Sequence, residues 1–235
     1  MLPGNFGVEV GGFWLSPFRA EVGNEIEFRI VELMTDPSTY IEAYAYEGFN
    51  RTRFYGADAN VVAHLNGGAL QVYAGAAYLA VDDYMYLRLY SDGRDSFLNW
   101  ASDNTLIGPQ VGARFIGGMG PLSIEVGGRV GFLHNSIHNL VVVDRPLDTD
   151  LTGEDADSVW TLMAAGNVTA RLNVTDHFAL TAGYQALWLN RVALAPHQVG
   201  ATDPVDIQGP ATIGLDTFVA PFLVHGFTAG MSLRF

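Results

Sequence analysis

The sequence predicts an all-β fold: a transmembrane antiparallel up-and-down β-barrel of eight strands, built as a single domain over residues 1–235. Three observations predict it. Side chains alternate apolar and polar with a period of two along most of the chain. The connections between these segments are short and long in turn. Charged residues are only 16% of the chain, against roughly 25% in ordinary globular domains, while 49% are hydrophobic and mean hydropathy is +0.17. A chain so poor in charge hides its apolar surface in a core or in lipid.

Composition excludes several classes. Glycine at 27 positions argues against a helix-rich protein. The absence of cysteine removes disulfides, thiolate metal sites and cysteine nucleophiles. All 12 basic residues are arginine and the net charge is −13, so phosphate backbones are repelled and nucleic acid is not an expected partner. No stretch suits a spanning helix. The longest run free of Asp, Glu, Lys and Arg, residues 59–81, carries Asn60, His64, Asn66 and Gln71 with Gly67 and Gly68. Residues Met1–Asn5 have neither the basic head nor the apolar run of a signal peptide. The expectation is a mature or trimmed form, with eight strands as read and 10–12 in a longer parent.

The strands follow in order. Phe6, Val8, Val10 and Trp14 oppose Gly7, Glu9 and Gly11; Tyr55, Ala57, Ala59, Val61 and Ala63 oppose Gly56, Asp58 and Asn60. The third runs from Leu70 to Ala80 and the fourth through Val111, Ala113 and Phe115. Leu122 to Phe132 opposes Glu125 and Arg129, and Leu162 to Val174 opposes Asn167 and Arg171. Phe178 to Trp188 and Phe227 to Phe235 complete the set. Short turns are expected at Asn66–Gly68, Gly117–Gly120 and Thr175–His177, and long connections at 17–50, 82–105, 134–158 and 190–224. Such alternation is the pattern of a membrane barrel, whose first and last strands pair to remove the edges.

Sidedness separates lipid from a soluble barrel. The polar faces mix glycines with long side chains, as a crowded interior requires, and the apolar faces carry almost no charge. Trp14, Tyr78, Phe115 and Trp188 fall toward strand ends, where interfacial aromatics belong. Acidic residues concentrate in the long connections, notably Asp144 to Asp157.

The expected lumen network, a plug or a selectivity ring, is Glu9, Asp58, Gln71, Gln110, Arg114, Glu125, Arg129, Asn167, Arg171, Gln185 and Arg234. Counting from the turn places Arg114 diagonally from Glu125 with Arg171 at a similar height, an Arg-Glu-Arg cluster. Asp148, Asp150, Thr152 and Glu154 resemble the first half of a calcium loop, although position twelve is Val159. They make a weak external Ca²⁺ site beside the plainer reading as a solvated loop, and no other cofactor is expected. His134 and His138 lie about 13 Å apart on an extended chain, which argues against a shared zinc. No catalytic residue is expected: Ser136 and His138 are close, yet no third group orients them.

Thr228, Gly230, Leu233 and Phe235 resemble the β-signal by which the barrel assembly machinery recognises outer-membrane substrates. Further segments are similar to the outer-membrane family called beta-barrel porin seven. They are Gly7–Trp14, Arg53–Asn60, Gly108–Arg114, Thr175–Phe178 and Gly183–Trp188. The resemblance implies the outer membrane of a Gram-negative-type bacterium, with its lipids and assembly machinery as partners. The expected function is passive, porin-type passage of small solutes. The alternative is a closed structural or surface-interaction barrel with acidic external loops and a plugged lumen. Solute, ion preference and oligomeric state are not legible in the sequence.

Overall fold

Period-two patterning becomes extended strands throughout. The computed structural model describes residues 6–32, 40–90, 95–144, 151–175, 177–199, 202–204 and 213–233. The strands are β1 (Phe6–Glu32), β2 (Tyr40–Leu65), β3 (Leu70–Tyr90), β4 (Ser96–Met119), β5 (Leu122–Asp144), β6 (Leu151–Asn173) and β7 (Phe178–Val192). A one-turn helix α1 (Ala195–Gln198) and a small pair, β8 (Thr202–Pro204) and β9 (Ile213–Leu215), precede β10 (Ala220–Leu233). The main sheet has eight strands in the order β1-β2-β3-β4-β5-β6-β7-β10, every neighbour antiparallel.

The sheet curls into a half-barrel. Arg114 of β4 reaches Glu9 of β1 across two intervening strands, and Phe54 of β2 meets Phe222 of β10 edge-on at 5.6 Å. Among the described residues β1 and β10 do not pair with each other, so the closure expected from the sequence is not made there and both edge strands are left unpaired.

Turns at one end, here called the turn end, need special backbone. Asn66, Gly67 and Gly68 all have positive φ, at 51°, 69° and 94°, and Gly120 has φ 61° ahead of Pro121. Thr175 Oγ1 accepts the backbone N–H of Phe178 at 3.0 Å. The middle residue of the expected Thr175–His177 turn, Asp176, lies outside the described residues.

Three of the four expected long connections are corrected. Residues 82–90 and 96–105 continue β3 and β4 in unbroken register, from Asp82↔Asp103 to Leu89↔Ser96. Residues 134–144 and 151–158 likewise extend β5 and β6. Much of 17–50 belongs to β1 and β2. Acidic and amide side chains had suggested loops, but cross-strand pairing satisfies the backbone whatever the side chains are. Only 190–224 remains largely a connection, holding α1, β8 and β9.

The two faces differ by height. Near the turn end the outward side chains are apolar and exposed: Leu122, Ile124, Val126, Val130 and Phe132 on β5, with Val168, Leu172 and Leu180 beside them. The alternate residues Glu125 and Arg129 point into the concave side. Farther from the turns the concave side itself turns apolar. Phe54, Leu79, Val81, Leu106, Leu133, Met163, Leu189 and Phe222 fill it there, all at most 8% exposed. The core of this protein is therefore an apolar plug inside the upper part of the curl.

Candidate functional site

Below the plug lies a charged chamber. The guanidinium of Arg114 donates to both carboxylate oxygens of Glu9, with Nη1 at 3.2 Å from Oε1 and Nη2 on Oε2. Its Nε donates to Gln71 Oε1 at 2.6 Å. This bidentate pairing fixes the planar head across the concavity. Arg129 Nη1 stands 3.4 Å from Asp58 Oδ1. Asp58 also accepts from Asn60 Nδ2, and Asn60 Oδ1 accepts from Gln110 Nε2 at 2.9 Å. Glu125 accepts from Asn167 Nδ2 at 3.1 Å, and Arg171 Nε donates to Asn173 Oδ1 at 3.3 Å.

The sequence-derived lumen residues therefore fall into linked groups, with altered partners. Glu9, Gln71 and Arg114 form one group, and Asp58, Asn60, Gln110 and Arg129 another. Of the expected Arg-Glu-Arg cluster, Arg114 binds Glu9 and stands close enough to Glu125 to feel its charge, Glu125 accepts from Asn167, and Arg171 donates to Asn173. The curl of the sheet brings β1 opposite β4, so Arg114 finds a carboxylate from across the chord. Gln185 lies at the chamber wall near the β10 edge. Arg234 lies outside the described residues.

Glycines make room for these groups. A Cβ on Gly75 would stand 1.9 Å from Ala59 O, and one on Gly127 2.5 Å from Asn167 Oδ1. Thr228 and Gly230 of the assembly-signal segment lie on β10, and a Cβ on Gly230 would meet Thr181 Oγ1 at 2.9 Å. Leu233 ends β10, and Phe235 lies outside the described residues.

Above the plug, sequence reasoning missed a polar girdle. Asp83, 2% exposed, accepts from Thr52 Oγ1 at 2.6 Å, Asn50 Nδ2 at 3.3 Å and the Ala195 backbone N–H at 2.8 Å. Asn104 Nδ2 donates to Val81 O at 3.2 Å and Ala193 O at 2.7 Å, while its Oδ1 accepts from Ala193 N at 2.9 Å and Asn135 Nδ2 at 3.1 Å. Asn135 and Thr161 both donate to Arg191 O. Asn139 donates to Thr217 Oγ1 at 2.8 Å, and Thr217 donates in turn to Asp155 Oδ2 at 2.5 Å. Successive strands thus hold Arg191, Ala193, Ala195 and Thr217 inside the curl. The available signal was the inward run Leu133, Asn135, Ile137, Asn139, Val141, which keeps period two inside a stretch that looks like loop.

Of the residues in the calcium reading, Thr152 and Glu154 lie on the strand β6, and Glu154 Oε1 is 2.7 Å from His138 Nε2. Asp148 and Asp150 lie outside the described residues. Ser136 and His138 are exposed on the outer face of β5. Beyond the apolar band, Asp82 lies between Arg53 and Asp103 in register. Burial raises its pKa above the ordinary carboxylate range, the Asp103 carboxylate raises it further, and Arg53 opposes them.

With this geometry in view, comparison with known proteins adds no relative: no family model, no curated protein and no solved structure matches the chain.

Proposed function

We propose that this chain is an outer-membrane β-barrel protein of a Gram-negative-type bacterium, closed at rest, with a structural or surface-interaction role. The observation that carries the proposal is the inversion of the apolar face along single strands. On β5, Ile124, Val126, Val130 and Phe132 are about half exposed outward, whereas Leu133, Ile137 and Val141 higher on the same strand are buried inward. An exposed band running from strand to strand far exceeds what a water-soluble monomer tolerates. Its height, residues 122–132 on β5, matches the 9–11 or so residues of a spanning strand. Above it, the plug and the tethered segment leave side chains where a pore would need water.

Outer-membrane lipids then cover the band. The β-signal resemblance of Thr228, Gly230, Leu233 and Phe235 makes the barrel assembly machinery the route of insertion. The strands continue far past the band, carrying Arg88, Glu47 and Asp95 to the outside, where surface partners are met. Porin-type passage of small solutes is the second reading, favoured by the charged chamber, and it requires the tethered segment and the plug to move. Planar-bilayer recording of the purified protein tests the choice. A silent, inserted protein is expected, and stable conductance steps would overturn the closed reading in favour of the porin.

A further inference from the structure

The chamber reaches both edges of the sheet. Its lining includes Glu9 and Phe13 of β1 and Gly226 and Thr228 of β10, the two strands left unpaired at the edges. Its volume is about 420 Å³, within the range of small-molecule sites. The two ends differ in chemistry. Toward the plug the wall is Phe13, Phe54, Leu187 and Val224, and toward the turn end it carries the Glu9–Arg114 and Asp58–Arg129 pairs. Phe227, 90% exposed, and Tyr184 stand at the mouth on the outer face.

A site with one apolar end, one polar end and walls from both unpaired edge strands, at the height of the exposed band, fits a molecule of the same construction. We propose that the chamber binds a single-chain amphiphile entering between β1 and β10, its chain against Phe13, Phe54, Leu187 and Val224 and a zwitterionic head among the Arg–carboxylate pairs. The head is zwitterionic because each arginine already faces a carboxylate. A net-charged head would gain one attraction and meet one repulsion, whereas paired opposite charges satisfy both. The apolar end is walled by only four side chains, which suits one chain rather than two. The proposal rests on the membrane reading, since only lipid at the mouth supplies such a ligand.

Gly226 provides the test. It points into the chamber between the outward His225 and Phe227, and a Cβ built there meets nothing within 4 Å. Gly226→Phe fills the space, whereas Gly226→Ala leaves it. The probe is a series of lysophosphatidylcholines of increasing chain length, added to the full chain in nanodiscs and counted by native mass spectrometry. One bound molecule is expected, its affinity rising about fourfold per added methylene and then levelling once the apolar end is full. Gly226→Phe should weaken it by about tenfold or more, Gly226→Ala should not, and a two-chain phosphatidylcholine should not compete. Absence of a bound lysolipid, affinity without dependence on chain length, or equal binding by Gly226→Phe overturns the site. So does slow amide exchange along both 6–14 and 222–232 without lysolipid, because the edges would then be paired and the mouth shut. The chain-length series needs no variant. Failure of the membrane reading is seen separately, as a chain that keeps its strand circular dichroism in water and does not incorporate into nanodiscs.

Discussion

Asn104 offers the sharpest test of the tethered segment. It makes four hydrogen bonds, two of them to Ala193, and is fully buried. Asn104→Leu keeps the number and branching of the side-chain heavy atoms and deletes all four. Four buried polar groups then lose a partner: the Val81 carbonyl, the Ala193 N–H, the Ala193 carbonyl and the Asn135 amide. Each unsatisfied group costs about 1–3 kcal/mol, and the segment escapes part of that by lifting into water, which gives a loss of about 3–5 kcal/mol. Denaturant unfolding in detergent micelles, followed by tryptophan fluorescence, measures the loss. Trypsin reads the local effect, because the chain has no lysine and Arg191 is the one arginine between residues 190 and 224. Asn135 and Thr161 hold the Arg191 carbonyl, so freeing Ala193 should also expose this bond and speed cleavage there several-fold. A stability loss below about 1 kcal/mol with unchanged cleavage at Arg191 would refute the tether.

Three further outcomes are expected. Gly75→Ala should destabilise by about 1–3 kcal/mol or prevent folding, because its methyl would meet Ala59 O and Asn60, whereas Gly226→Ala should change the unfolding midpoint little. In a double-mutant cycle of Glu9→Gln and Arg114→Gln, the coupling should be about 1–2 kcal/mol, since the pair is bidentate yet partly exposed; a coupling near zero would place it in free solvent. Asp103→Asn should lower the titration midpoint of Asp82, read by carboxyl NMR, and raise stability at neutral pH by about 0.2–1 kcal/mol. The sign follows from linkage: with its folded pKa above the unfolded one, Asp82 stabilises the fold fully below the unfolded pKa. That contribution is lost as pH rises through the folded value, and removing Asp103 narrows the window.

The turn-end half of the molecule was legible in the sequence because its two faces meet different surroundings. Leu122, Ile124 and Val126 alternate with Ser123, Glu125 and Gly127, and that contrast both makes the strand recognisable and tells outside from inside. Turns announce themselves wherever positive φ demands asparagine or glycine, as at Asn66–Gly68. The far half gives no such contrast. Around residue 103 the inward Ser102 and Asn104 flank an outward Asp103, so both faces are polar and the stretch resembles a loop although it is strand. The candidate site was legible as a set of inward residues but not as pairs. Cross-strand register is local, whereas the Glu9–Arg114 pair spans 105 residues and depends on how tightly the sheet curls.

That pairing bears on what the chamber can do. Among the described residues, Glu9, Asp58 and Glu125 share the interior with Arg114, Arg129 and Arg171, so these formal charges balance one another while the chain as a whole carries −13. A neutral chamber exerts little long-range pull on either sign of ion, while the acidic excess sets the field outside it. The acidic field and the chamber therefore belong to different parts of this molecule. If the plug were opened by trimming Leu106 and Leu133, both fully buried, the resulting path would run between balanced pairs and conduct with weak ion preference. Strong cation selectivity in such a variant would mean that the acidic outer strands, rather than the chamber, form the narrowest part of the path.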